Sequence, residues 1–386
     1  MKVAYISSIG FADCDFPLIM GMQKKSVDVT YYILCECWAL KGTLFNIKKQ
    51  YPKAGIFPYT IYEDMFEPYK NSIDFTKVRI VNRTKASAFH PSTILLQFKL
   101  LNELLKGKYD VIHITFPLDK TECLLYFLRK KMVLTLHDPI PHSSDLKSRS
   151  LKRCRNLAFK NIPKILLLNK TMLTKFCEVT KYPKNQVFAS KLGTYDCISI
   201  VDSVMPYSID SPYILFFGVV ASHKGIEYLI MAFNKICKCF PNVKLVIAGG
   251  GKIYFNKELF EKNENIIIIN RYIEVSELAG LLKGCLFSVC PYKDATQSGV
   301  VQTAFTMGVP LIVTNVGALP ECVENKKTGL VVQPCNVDEL ADAMSYLLNN
   351  PHEIARMKNN IISKWKPQMD WSSIVDDYLK CYISKV

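Results

Sequence analysis

The chain has 386 residues, 49% hydrophobic and 22% charged, a globular composition that excludes a disordered or fibrous protein and supplies apolar material for two cores. Its net charge of +15 is one-sided: residues 1–191 hold 31 Lys and Arg against 15 Asp and Glu, while the remainder is close to neutral. No apolar run approaches the ~18 residues of a membrane span.

In chain order, short apolar runs predict strands at Val3–Ile6, Val111–Thr115, Met132–Leu136 and Ile165–Leu168 in the first half. The second half adds Tyr213–Phe217, Lys244–Ala248, Ile266–Ile269, Phe287–Cys290 and Leu311–Thr314. Continuous Val, Ile, Leu and Phe suit strands covered on both faces, as in parallel sheets. Helical spacing separates them: Ile226, Leu229, Ile230, Phe233, Ile236 and Phe240 recur every three or four positions over Gly225–Phe240. Further helices are predicted at Ser276–Lys283, Asp338–Leu348 and Trp371–Ile383. Alternating strands and helices imply an α/β doubly wound sheet, and the alternation occurs twice. The expected domains are 1–195 and 213–364, joined by a linker over 196–212, with 365–386 crossing back to the first domain.

The densest basic stretch runs from Lys147 to Lys164 and includes Arg149, Lys152, Arg153, Arg155 and Lys160. It reads as a solvated helix face or as attraction to an anionic membrane surface. Nucleic acid is disfavoured, because no DNA- or RNA-binding signature accompanies the charge. The 14 cysteines form no Cys-x-x-Cys pair, and the start of the chain lacks a long apolar leader segment. A reducing, cytoplasmic setting is expected, with a peripheral place at the membrane's inner face as the alternative.

Ligands of open α/β sheets sit outside the carboxyl ends of the strands. Two junctions carry suitable residues there. After Tyr213–Phe217 comes Gly218, then Val219 through Gly225, with Lys224 beside a helix start: a diphosphate contact. After Phe287–Cys290 comes Pro291-Tyr292-Lys293-Asp294-Ala295-Thr296-Gln297-Ser298-Gly299-Val300-Val301, which opens a helix with free backbone N–H groups. Gly317 and Glu321 follow the next strand on the same edge.

From Tyr213 to about Leu348 the motifs F-F-G, H-K-G, L-V-I-A-G-G-G, N-R-Y-I, V-C-P-Y, S-G-V, G-V-P-L-I-V-T-N-V-G-A-L-P-E and T-G-L-V-V-Q-P run in unbroken order. In this the chain resembles the family 4 retaining glycosyltransferases. In the first half, Tyr109–His113, Val133–Asp138 and Lys191–Gly193 resemble segments of the same family. The resemblance implies the GT-B architecture, two Rossmann-like domains facing across a cleft. It implies transfer of a sugar from a nucleotide-diphosphate donor to a saccharide or lipid-linked acceptor, with no metal and no cofactor. Lys224 matches the lysine that neutralises the diphosphate. Ser298, Gly299 and Val300, with Gln297, match the phosphate-binding loop, and Arg271, Tyr272 and Ile273 match the segment cupping the base. His137 matches a histidine near the transferred sugar, and Gly10 the glycine loop after the first strand.

The chain departs from that pattern in two places. The family's Glu-x7-Glu falls on Ala295 and Thr303, so Thr303 replaces a ribose-binding glutamate. Val219 replaces the arginine that accompanies the lysine. An Ala-Thr-Gln-Ser-Gly-Val segment is a pattern of part of the family.

Among other polar residues, His113 reads as structural, His137 as functional, and His223 as an ordinary loop residue. His142 stands between these readings. Glu321 reads as donor-binding or as a helix cap. Asp13-Cys14-Asp15 has an Asp-x-Asp form but is expected in a loop, the wrong place for a metal. Gly249-Gly250-Gly251 lacks the third glycine of a dinucleotide motif, since Tyr254 stands there. A nucleotide-sugar epimerase of the same fold and a non-catalytic nucleotide-sugar-binding protein are the alternatives.

Overall fold

Each apolar run named above forms a strand in the computed structural model, which describes residues 1–140, 149–205, 209–295 and 299–384. The chain divides into two units, Met1–Ile200 with Met369–Val386, and Val201–Gln368. In the first unit the strands are β1 (Lys2–Ser8), β2 (Asp28–Glu36), β3 (Gly55–Pro58), β4 (Val78–Arg83), β5 (Val111–Ile114), β6 (Met132–Leu136), β7 (Lys164–Leu167) and β8 (Val187–Ala189). They form one sheet in the order β3-β4-β2-β1-β5-β6-β7-β8, parallel except for β3. In the second unit β9 (Tyr213–Phe217), β10 (Lys244–Ala248), β11 (Ile266–Ile269), β12 (Phe287–Cys290), β13 (Leu311–Thr314) and β14 (Gly329–Val332) pair in the order β11-β10-β9-β12-β13-β14, all parallel. Strand order reverses beside β1 in the first sheet and beside β9 in the second. Those switch points open a crevice at the carboxyl edge of each sheet.

Two of the strands that escaped the sequence pattern, β2 and β4, carry polar groups with distant partners. β2 contains Tyr31, whose hydroxyl donates to Asp15 Oδ2 at 2.9 Å, and Tyr32, which reaches Glu103 at 3.1 Å. β4 ends on Asn82 and Arg83, and Arg83 is ion-paired with Glu36 and Glu122. Asp13 and Asp15 do not lie in a loop, as expected, but in helix Ala12–Lys24. Asp15 faces the sheet and accepts from Tyr5 and Tyr31, and burial pushes its carboxyl up to about 7. Its oxygens are committed to the core.

The terminal helix Trp371–Ile383 packs on helix Ala12–Lys24, where Gly21 leaves room for Val375. Trp371 Nε1 donates to the Thr194 carbonyl at 2.7 Å. Lys164 Nζ closes the other end, donating to the carbonyls of Cys381, Tyr382 and Ser384 at 2.9, 3.0 and 2.7 Å. A cation on the last carbonyls of a helix satisfies them and complements the dipole.

His113 of β5 joins this helix to the sheet. Its Nε2 meets Thr135 Oγ1 and its Nδ1 meets the Tyr382 hydroxyl, both at 2.8 Å, and its ring stacks on Tyr5 at 4.7 Å. This is the structural role expected of it. Burial, then the nearby His137, pushes the imidazole down to about 3. Above the unfolded value of about 6.5, neither state is charged and the packing contributes fully. As pH falls below that, the unfolded chain binds a proton that the folded chain refuses, so stability is lost progressively down to about pH 3. Thermal unfolding of His113→Phe between pH 7 and 4 is expected to show a shallower loss of stability than the parent, by up to one proton. An equal slope in the two proteins counts against this assignment.

Candidate functional site

The second unit's crevice lies between the loops that follow β9 and β12, and both are held by backbone. β9 ends at Gly218, whose N–H donates to Ala248 O at 3.0 Å. The loop continues through a short turn, Ser222–Lys224, to Gly225, which has φ +65° and starts helix Ile226–Ile236. A Cβ on Gly225 would stand 2.0 Å from the Pro291 carbonyl oxygen, so only glycine permits this approach. The Lys293 N–H donates to His223 O at 2.8 Å and locks the two loops together. His223 thus acts through its backbone, as a loop residue.

Lys224 projects from this junction with its ammonium 3.8 Å from the centroid of the Tyr292 ring. Tyr292 is fully buried, so the ring is a fixed floor beneath the charge. Helix Gly299–Thr306 begins on the same edge, and Val300 Cγ2 lies close to Gly218. Gly299 and Val300 are the first residues of this helix that the structure describes, and N–H groups in a helix's first turn suit anionic oxygens. Gln297 and Ser298 lie outside the described residues, as does His142.

The helix after Gly225 is less open than its sequence suggested. The Ile226 N–H donates to the Tyr254 hydroxyl at 3.0 Å, and that hydroxyl donates to Glu227. Lys293 Nζ pairs with Glu227 at 2.7 Å. Tyr254 therefore caps this helix from the loop after β10. The sequence marked position 254 only as the place of a missing glycine, and its helix-capping role had no local signal. The glycines before it permit close packing: a Cβ on Gly249, at φ +153°, would lie 1.8 Å from Gly218 O.

The remaining donor-side residues are placed as follows. Arg271 forms two 2.7 Å bonds to Glu277 and one of 3.0 Å to Tyr272 O, so its guanidinium braces the Arg271–Ile273 turn. Gly251 N–H donates to Asn270 Oδ1 at 3.0 Å, bringing that turn beside the loop after β10. Thr303 is buried and donates its only hydroxyl proton to Gly299 O at 2.8 Å, which leaves it nothing to donate to a ribose. Ala295 is buried, and Val219 is 63% exposed. Glu321 is exposed in the short helix Leu319–Cys322 after β13.

In the first unit Gly10 sits in the turn Ile9–Phe11 after β1, exposed, with its N–H 3.4 Å from Ser8 Oγ. The next residue, Phe11, stacks on His137 at 4.0 Å with the rings 9° apart. His137 follows β6. Its Nε2 is buried with no hydrogen-bond partner among the described residues, and burial pushes the imidazole down to about 4. It is thus neutral near pH 7, able to donate or accept according to tautomer. The loop that carries it is held by Arg155, which donates to Asp138 O at 3.0 Å and to Pro139 O.

Among the described residues no group of His, Cys, Asp and Glu is arranged to hold a metal ion, and no helix is long and apolar enough to cross a membrane.

The model of the family described as "Glycosyl transferases group 1" matches residues 207–364. An uncharacterized glycosyltransferase of Methanocaldococcus jannaschii is 25% identical over 345 residues, covering 85% of this chain and 88% of the relative. Sucrose-phosphate synthase from Thermosynechococcus elongatus superposes with a TM-score of 0.70 at 16% identity, over 99% of this chain and 98% of that one. Anabaena HepE, in a complex with UDP and glucose, superposes with a TM-score of 0.69 at 16% identity over 100% of both chains. The fold is that of the GT-B glycosyltransferases, with two Rossmann-like domains.

Two substitutions test the junction by denaturant unfolding. Gly225→Ala forces a side chain into a left-handed residue and is expected to cost about 1–3 kcal/mol. Tyr254→Phe removes the helix cap and is expected to cost about 0.5–1.5 kcal/mol. A neutral Gly225→Ala would mean that the two loops do not meet as described.

Proposed function

We propose that the protein transfers a sugar, with retention of anomeric configuration, from a nucleoside-diphosphate donor to a saccharide or lipid-linked acceptor. The observation that carries this reading is Lys224, held 3.8 Å over the buried Tyr292 ring at the second switch point. In retaining transfer the bond from the anomeric carbon to the phosphate oxygen breaks, and a bond to the acceptor oxygen forms on the same face. The acceptor proton passes to the departing phosphate. Such a reaction chiefly needs stabilisation of the leaving diphosphate, which a fixed ammonium and preorganised N–H groups supply without a serine or cysteine nucleophile. In this reading Lys224 and the backbone of Gly299 and Val300 neutralise the diphosphate. The turn Arg271–Ile273 holds the base, Glu321 meets the donor, and Gly10 lets donor or acceptor approach the first sheet. His137, neutral and with an unpaired buried nitrogen, hydrogen-bonds a sugar hydroxyl. The reaction proceeds without a metal, so turnover is expected to persist in EDTA.

Lys224→Ala is expected to lower turnover at least ~100-fold, about 3 kcal/mol of transition-state stabilisation, with the fold intact. Turnover equal to the parent's would discard the role given to Lys224. Thermal shifts with UDP, GDP, ADP and their sugars identify the base, because a ligand bound to the folded chain raises its melting temperature. The loss of proton-donating capacity at Thr303, together with Val219 and Ala295, favours one rival, a binding protein without transferase activity. Donor binding with no product from any acceptor would decide for it. Conversion of the donor in the absence of acceptor would instead mark an epimerase.

A further inference from the structure

Helix Pro91–Gly107 carries two apolar stripes, and the fold uses one of them. Leu96, Leu100 and Leu104, with Thr93 and Gln97, are buried against the sheet. Ile94, Phe98, Leu101 and Leu105 follow a 4-3-4 spacing along an adjacent face of the same helix. That second stripe is turned toward water, with Phe98 56% and Leu105 55% exposed. The turns Cys123–Lys131 lie alongside, tied to the helix where Gln97 accepts from Leu124 N at 3.4 Å and donates to Lys120 O at 3.3 Å. From those turns Phe127 projects, 74% exposed.

The rim of this face is cationic. Arg129 and Lys130 are exposed on the same turns, and Lys120 is exposed in the loop just before them. Of the nearby carboxylates, Glu122 is buried and paired with Arg83, Glu103 accepts from Tyr32, and the exposed Asp119, which accepts from Thr121, is outnumbered by these cations. Apolar prongs inside a ring of cations match the headgroup and acyl layers of an anionic bilayer. Pairing of the seam with a second copy would bring the same cations face to face, on a half-chain already rich in positive charge. We infer that this face of the first unit docks on an anionic membrane surface, with Phe98, Leu105 and Phe127 entering the boundary between headgroups and acyl chains.

The assignment differs from the one suggested by charge alone. Helix Arg149–Asn161 is the more basic, but Leu157 is its only large apolar side chain that is well exposed, and Arg155 is turned inward to the loop after β6. The docking is independent of sugar transfer, and vesicle binding is measured without donor or acceptor.

Flotation of the full chain with phosphatidylglycerol-containing vesicles at low salt is expected to show binding, and with pure phosphatidylcholine vesicles little. Phe98→Ser/Phe127→Ser is expected to lower the partition coefficient at least ~10-fold, since burying one such ring is worth about 1.5–3 kcal/mol. Lys120→Glu/Lys130→Glu is expected to lower it ~10-fold or more and to flatten its salt dependence, at about 1 kcal/mol per charge. All four positions are exposed, so melting temperatures should match the parent's. The inference is overturned if the parent does not bind anionic vesicles, or if binding ignores both double variants. A dimer in sedimentation that Phe98→Ser/Phe127→Ser dissolves would also overturn it, giving the seam to a second copy.

Discussion

The candidate donor site depends on one close approach, that of the chain at Gly225 to the Pro291 carbonyl. Two parallel strands that adjoin in a sheet leave their carboxyl ends about 5 Å apart, and the loops beyond them usually diverge. Here the missing side chain at Gly225 lets the loop after β9 fold under the loop after β12, and the Lys293-to-His223 bond closes the seam. Tyr292 is thereby buried directly below Lys224. A lysine has four rotatable bonds and would ordinarily spread its charge over a large volume. Seated on an aromatic face, it presents that charge at one place, which is the condition for electrostatic preorganisation.

The second unit was far more legible in the sequence than the first, for a physical reason. Its strands are short and mostly aliphatic, and five of the six appear as apolar runs with bounds that the structure reproduces. In the first unit, β2 and β4 bury Tyr31, Tyr32, Asn82 and Arg83, residues that look solvated until their partners are known. Those partners are far away in sequence: Asp15 for Tyr31, Glu122 for Arg83. Periodicity reads local pattern only, so long-range satisfaction of polar groups is invisible to it. The same blindness put Asp13 and Asp15 in a loop. Asp15 is in fact an inward-facing helical carboxyl with two tyrosine donors. At the site, Lys224 and the glycines were legible as motifs, while Tyr254, Glu227 and Lys293 became visible only once three separate loops met.

Burial acts alike on the charge of His113 and His137 in the first unit, but not on their hydrogen bonds. Both are kept neutral, His113 near 3 and His137 near 4. His113 has a partner on each nitrogen, so its desolvation is offset by two hydrogen bonds. His137 leaves Nε2 buried and unpaired, which costs roughly 1–3 kcal/mol in an ordinary core. Such a group calls for an explanation, and the proposed sugar contact is one. Arg155 strengthens that argument, because a buried guanidinium is spent on the two carbonyls that follow His137. The ring's position is thus fixed from three sides: Phe11 stacked on its face, β6 before it and Arg155 behind it.

The departures at Val219, Ala295 and Thr303 then have a consistent meaning. Against the glycosyltransferase pattern that the sequence resembles, each puts an uncharged side chain where that pattern has a charged one. Backbone N–H groups at the start of helix Gly299–Thr306 do not depend on side-chain identity, whereas the arginine and glutamate contacts do. Removing a cation and two anions together keeps the local charge nearly balanced, so the field at Lys224 is not reversed. Glu227, at the helix start behind Lys224, is paired with Lys293 at 2.7 Å. On the proposed reading the diphosphate role concentrates on one lysine and on main-chain donors, with the Glu227–Lys293–Tyr254 cluster holding the helix start behind them.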